Sequence, residues 1–89
     1  MLPTPRFFRA YKRITKRNPK LAVDIAQVLQ QLADDPFHSA LETHKLKGAL
    51  AGVWACSAAY DLRILFEFVE NKPENDLLLI TLGTHDDIY

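Results

Sequence analysis

Leu62-Arg63-Ile64-Leu65-Phe66-Glu67-Phe68 decides the architecture. Side chains of a strand point alternately to its two faces, so Leu62, Ile64, Phe66 and Phe68 share one side while Arg63, Leu65 and Glu67 share the other. The first side belongs to a core. The second is partly polar and open to water or a ligand. Residues 52–58 and 76–82 repeat the apolar density of residues 62–70, with turn residues between the three runs. Asn71-Lys72-Pro73-Glu74-Asn75 reads as the turn closing the second pair.

The cover for the apolar side is written upstream. Thr4-Pro5 is a helix start, a hydroxyl at the cap followed by a proline whose missing N–H costs nothing there. Phe7, Phe8, Tyr11 and Ile14 then recur at helical spacing and read as core, with basic residues filling the other face. Asn18-Pro19 breaks the helix, because the residue before proline is pushed out of helical geometry. A second helix carries Leu21, Ile25, Val28, Leu29 and Leu32 on one stripe and ends at Asp34-Asp35-Pro36. The expected fold is therefore α+β: a two-helix hairpin packed on one face of a small, mostly antiparallel sheet, as a single domain over residues 1–89.

Composition narrows the function classes. At 89 residues, 48% hydrophobic and 25% charged, the chain is ordinary globular material with room for one modest core. No window approaches the roughly 18 unbroken apolar residues of a membrane span. The start, MLPTPRFF, lacks the order of a secretory signal. Cys56 is the only cysteine, which excludes an internal disulfide and suits a cytoplasmic location. The formal net charge of zero hides a segregation: Arg6, Arg9, Lys12, Arg13, Lys16, Arg17 and Lys20 stand in the first twenty residues without one acid. Such a face attracts phosphate polymers, although a solvated basic helix is the plainer reading.

Five further positions fit a purely structural chain poorly: Arg63 inside an apolar strand, Lys45 and Lys47 flanking Leu46, His85 after Gly83-Thr84, and Tyr89 at the last position. Each also has a plain explanation. Arg63 pairs with Glu67 on the same strand face, the lysines protect a sheet edge, His85 caps its own turn, and Tyr89 plugs the core.

The order and spacing of several pieces resemble the RelE/ParE toxin superfamily, and within it the YafQ-like and RelE-like ribonucleases. The pieces are His44-Lys45-Leu46-Lys47-Gly48, Gly52-Val53-Trp54, Tyr60-Asp61-Leu62-Arg63-Ile64-Leu65-Phe66 and Leu82-Gly83-Thr84-His85-Asp86-Asp87-Ile88-Tyr89, preceded by the helical hairpin with Phe7, Tyr11, Lys12 and Asp35-Pro36-Phe37. The resemblance implies a ribosome-dependent, metal-free endoribonuclease that inhibits translation, using the messenger RNA's own 2′-hydroxyl as nucleophile. It implies the ribosome, its messenger RNA and a cognate antitoxin as partners, with no cofactor and no membrane. That chemistry needs a base, a cation at the phosphorane and an acid for the leaving 5′-oxygen. Histidine, with an unperturbed pKa of about 6.5, suits the proton roles, and arginine's planar fork suits the phosphate. By the resemblance His85 is the acid, and His44 or Asp61 is the base. Arg63 with Lys45 or Lys47 steadies the phosphate, and Tyr89 is the C-terminal aromatic of the site. Arg9, Lys12, Arg13 and Lys16 would contact RNA.

The chain departs from the pattern in three places. Ser57 stands where YafQ-like enzymes keep another histidine, Trp54 and Cys56 replace RelE-like lysines, and the family's short first strand has almost no room ahead of Thr4. Three rival readings stand beside this one: a ParE-like gyrase inhibitor that cuts nothing, an RNA-binding module working through the basic helix with Phe7, Phe8 and Tyr11 stacking bases if exposed, and a metal site from His44, His85 and Asp86. The nuclease reading requires His44, Asp61, Arg63 and His85 to surround one phosphodiester on the sheet side away from the helices.

Overall fold

A computed structural model describes residues 1–71 and 74–88. In chain order the elements are β1 (Leu2–Pro3), α1 (Pro5–Arg17), α2 (Leu21–Asp34), β2 (His44–Lys45), β3 (Trp54–Ala59), β4 (Leu62–Asn71), β5 (Glu74–Thr84) and α3 (His85–Ile88). They form one five-stranded sheet in the order β1-β5-β4-β3-β2. All pairs are antiparallel except β1 with β5. The α+β architecture expected from the sequence is present: α1 lies over β5 and α2 over β3.

Thr4 shows why α1 begins where it does. Its Oγ1 accepts the Phe7 N–H at 3.1 Å, capping the helix, and the same hydroxyl donates to the Ile80 carbonyl at 2.8 Å. The Thr4 N–H also donates to the Leu79 carbonyl. One residue thus starts the helix and ties it to β5. The two residues ahead of it do form a strand, Leu2↔Leu78 and Pro3↔Leu79, so the first strand has room after all.

The core is one cluster that joins Phe7, Ala10, Ile25 and Leu32 of the helices to Cys56, Ile64, Phe66, Leu79 and Leu82 of the sheet. Phe8, assigned to the core by spacing, is 51% exposed, because one residue along a helix is a rotation of about 100° away from Phe7. Phe68 is also 40% exposed; Phe37, not a helix, stacks on it at 5.7 Å. β3 starts at Trp54 rather than residue 52, because Gly52 holds φ +91 in the preceding turn.

Two bulges set which residues face away from the helices. In β4–β5 the partners step from Leu65↔Thr81 to Phe66↔Leu79, leaving Ile80 as the extra residue. That step changes the phase of β5, so Leu77, Leu79 and Leu82 all face the helices while Thr81 and Gly83 face the far side. In β3–β4 the step from Ser57↔Arg63 to Ala59↔Leu62 leaves Ala58 extra. The far side is not uniformly polar: Ala55, Leu65 and Thr81 form a buried row across three strands there.

Candidate active site

Arg63 stands in β4 with Ser57 of β3 on one flank and Gly83 of β5 on the other. Its Nη1 donates to Ser57 Oγ at 3.3 Å and to the Leu62 carbonyl at 3.2 Å. Among the described residues no carboxylate lies within ion-pair distance of it. The pairing with Glu67 that would have made it structural is absent. A half-buried guanidinium fixed by neutral acceptors keeps its positive charge available for an anion.

The space beside it is an open cavity of about 590 Å³ lined by Glu42, Ser57, Ala59, Tyr60, Asp61 and Arg63. Asp61 is held there by the β3–β4 turn, where it adopts φ 55, a conformation aspartate tolerates better than most residues. Arg63, Asp61 and Ser57 therefore come together.

The histidines flank this centre rather than line it. His44 pairs with Ala55 and so faces the same side as Ser57 and Arg63. Two strand spacings and one two-residue step put its Cα about 12 Å from that of Arg63. His44 Nδ1 contacts the Glu42 carbonyl oxygen at 2.9 Å. A carbonyl only accepts, so the contact needs the proton on Nδ1 and leaves Nε2 as the basic nitrogen of the neutral ring.

His85 lies on the opposite flank. It opens α3, not a loop, two residues beyond the Gly83 that pairs with Arg63. A reciprocal cap builds this turn: the Asp87 N–H donates to Thr84 Oγ1, and the Thr84 N–H donates to Asp87 Oδ2. His85 Nδ1 is 3.9 Å from Asp86 Oδ1. Gly83 lets α3 fold back, since a Cβ there would lie 3.0 Å from Asp87 Cβ and 3.3 Å from Ile88 Cγ2.

Lys45 is elsewhere. Its partner is Trp54, on the helix side, and its Nζ sits 5.3 Å over the Trp54 ring. Lys47 is exposed after β2. Arg9 and Arg13 join Arg6 around a second cavity of about 200 Å³ against Thr81, Asp87 and Ile88, whereas Lys12 and Lys16 are exposed on the same helix. Tyr89 lies outside the described residues. Cys56 backs the site from the core, and burial pushes its thiol up to about 12, so it is no nucleophile at neutral pH. Among the described residues no three His, Cys, Asp or Glu side chains are placed to hold a metal ion.

The model of a bacterial toxin of type II toxin-antitoxin systems, YafQ, matches residues 1–89, the whole chain. The chain belongs to the YafQ toxin family. Solved structures agree on the fold of this YafQ-family toxin. YafQ from E. coli strain BL21(DE3) superposes with a TM-score of 0.81 at 13% identity, over 99% of this chain and 94% of that one. The YoeB/ParE toxin from Agrobacterium tumefaciens gives 0.79 at 19%, over 94% and 96%. YafQ in the E. coli DinJ–YafQ complex gives 0.74 at 15%, over 99% and 94%. No curated protein is similar enough in sequence to count as a relative.

Sequence reasoning did not single out Glu42, Tyr60 or Arg6 as candidate site residues. Glu42 carries the carbonyl that orients His44, Tyr60 lines the cavity, and Arg6 completes the arginine set. Only Arg6 had a usable signal, its spacing of three and seven from Arg9 and Arg13. Glu42 acts through its backbone, and Tyr60 falls between two apolar runs, where nothing in the pattern marks an aromatic.

Proposed function

We propose that this toxin is a ribosome-dependent endoribonuclease of the cytoplasm that cleaves messenger RNA and so inhibits translation. The observation that carries this reading is the Arg63 guanidinium, without a carboxylate partner among the described residues, between a histidine on one flank and a histidine on the other. In-line displacement at phosphorus places the attacking and leaving oxygens on opposite sides, so the base and acid are wanted on opposite sides of the cation.

His44 Nε2, or the Asp61 carboxylate, takes the proton of the 2′-hydroxyl. The 2′-oxygen bonds to phosphorus while Arg63 balances the charge of the phosphorane. The bond from phosphorus to the 5′-oxygen breaks as His85 delivers a proton to that oxygen. The products are a 2′,3′-cyclic phosphate and a 5′-hydroxyl. By the resemblance Lys47 adds a cation and Tyr89 the C-terminal aromatic, and Lys45 can serve the phosphate only by leaving Trp54. Arg9, Lys12, Arg13 and Lys16 hold flanking phosphates.

A cognate antitoxin keeps the toxin silent, as DinJ accompanies YafQ in E. coli and YefM accompanies YoeB in Staphylococcus aureus in solved complexes. A place for an amphipathic segment exists in the apolar cleft of about 350 Å³ bounded by Pro3, Phe8, Tyr11, Ile25 and Leu29.

The test is cleavage of messenger RNA on programmed ribosomes by the purified toxin, with product ends mapped. His85→Ala is expected to lower kcat by about 10² to 10⁴ and Arg63→Ala by about 10² to 10³. Cyclic-phosphate ends should persist in a chelator, since the nucleophile comes from the RNA itself. Gyrase inhibition without cut RNA would replace this reading with the ParE-like one.

A further inference from the structure

We infer that Tyr60 is the stacking platform for the nucleobase next to the scissile phosphate, which makes it a specificity-determining residue of the site. The inference rests on the nuclease reading above. Tyr60 is completely exposed, at the tip of the β3–β4 turn, and it lines the same cavity as Arg63 and Asp61. A large aromatic ring left fully in water contributes nothing to the core, so its place at the rim asks for another explanation.

Its backbone is nevertheless fixed. Ala59↔Leu62 closes the turn, Leu62 is buried in the core, and Ala59 packs against it. The other described residues lining the cavity are Glu42, Ser57, Ala59, Asp61 and Arg63, so among the described residues the phenol ring is its one broad flat apolar surface. A phosphodiester held by Arg63 carries a base on each neighbouring sugar, and the turn tip lines the same cavity. Stacking on an exposed ring tolerates every base and favours those with the larger π-face, so purines gain more than pyrimidines. Tyrosine suits the task because only two side-chain torsions have to be ordered.

The experiment compares wild type, Tyr60→Phe and Tyr60→Ala for cleavage of messenger RNA on programmed ribosomes. It reads KM, kcat and the bases flanking each cut. Thermal melting checks the fold and is expected unchanged for both variants, because the ring packs on nothing. Tyr60→Phe should keep wild-type KM and cut-site distribution. Tyr60→Ala should raise KM about tenfold to a hundredfold and flatten the purine bias, with a smaller effect on kcat. Wild-type KM and cut sites in Tyr60→Ala would overturn the inference and leave the nuclease reading standing. Equal loss in Tyr60→Phe and Tyr60→Ala would assign the role to the hydroxyl, and stacking would be wrong. Failure of the wild-type toxin to cut any RNA would remove the nuclease reading and this inference with it.

Discussion

Gly83 couples packing to the proposed chemistry at the scale of a single residue. Its missing Cβ is what allows Asp87 and Ile88 to lie against β5, and α3 carries His85. Gly83→Ala should therefore displace α3 rather than unfold the molecule. The expected result is a smaller drop in cleavage than the about 10²-fold that goes with a misplacement of about 1 Å, with little change in Tm. Cleavage and melting measured on the same preparation check it. Cys56 makes a separate prediction. Burial raises its thiol from 9.0 to about 12, with the Ile64 backbone hydrogen bond and Arg63 pulling weakly the other way. Between those values the folded thiol keeps its proton while the unfolded one has lost it, so stability falls as pH rises above 9. The slope is at most about 1.4 kcal/mol per pH unit. Chemical denaturation between pH 8 and 11 should show a shallower decline in Cys56→Ala than in wild type.

Among elements, α1 depends on one hydroxyl. Thr4 Oγ1 accepts from Phe7 N and donates to the carbonyl of Ile80, the extra residue of the β5 bulge. Thr4→Ala removes a cap worth about 1 kcal/mol and leaves a carbonyl short of a partner, for a loss of about 2 kcal/mol in all. In a chain of this size that lowers Tm by roughly 10 °C, and Thr4→Ser should recover most of it. Differential scanning calorimetry of the three proteins checks the order. The strand signal of β4 was plain because alternation is a local property of consecutive residues. The phase change in β5 was not, because a bulge is a property of two strands paired with each other.

Over the whole molecule, charge is sorted along the chain: seven basic residues and no acid in the first twenty, and all eleven acids after them. Arg6, Arg9 and Arg13 gather that charge beside α3. Replacing the three by Ala should weaken RNA or ribosome binding and flatten its dependence on log salt by about 0.7 per lost phosphate contact, while leaving the chemical step intact. Binding titrations across a salt series, set beside single-turnover rates, check both halves. The sequence by itself determined the two helices, the apolar strand faces, the α+β class and the residue types able to move protons and hold phosphate. These follow from periodicities of two and 3.6 and from side-chain chemistry, which neighbours along the chain already contain. Only the tertiary structure decided that Lys45 lies over Trp54 on the helix side and that Arg63 has no acidic partner among the described residues. It also decided that Gly83 brings α3 alongside, and that Tyr60 stands in water at the rim of the cavity. Each of these depends on strand register and bulges, which are fixed by contacts between residues far apart in the chain.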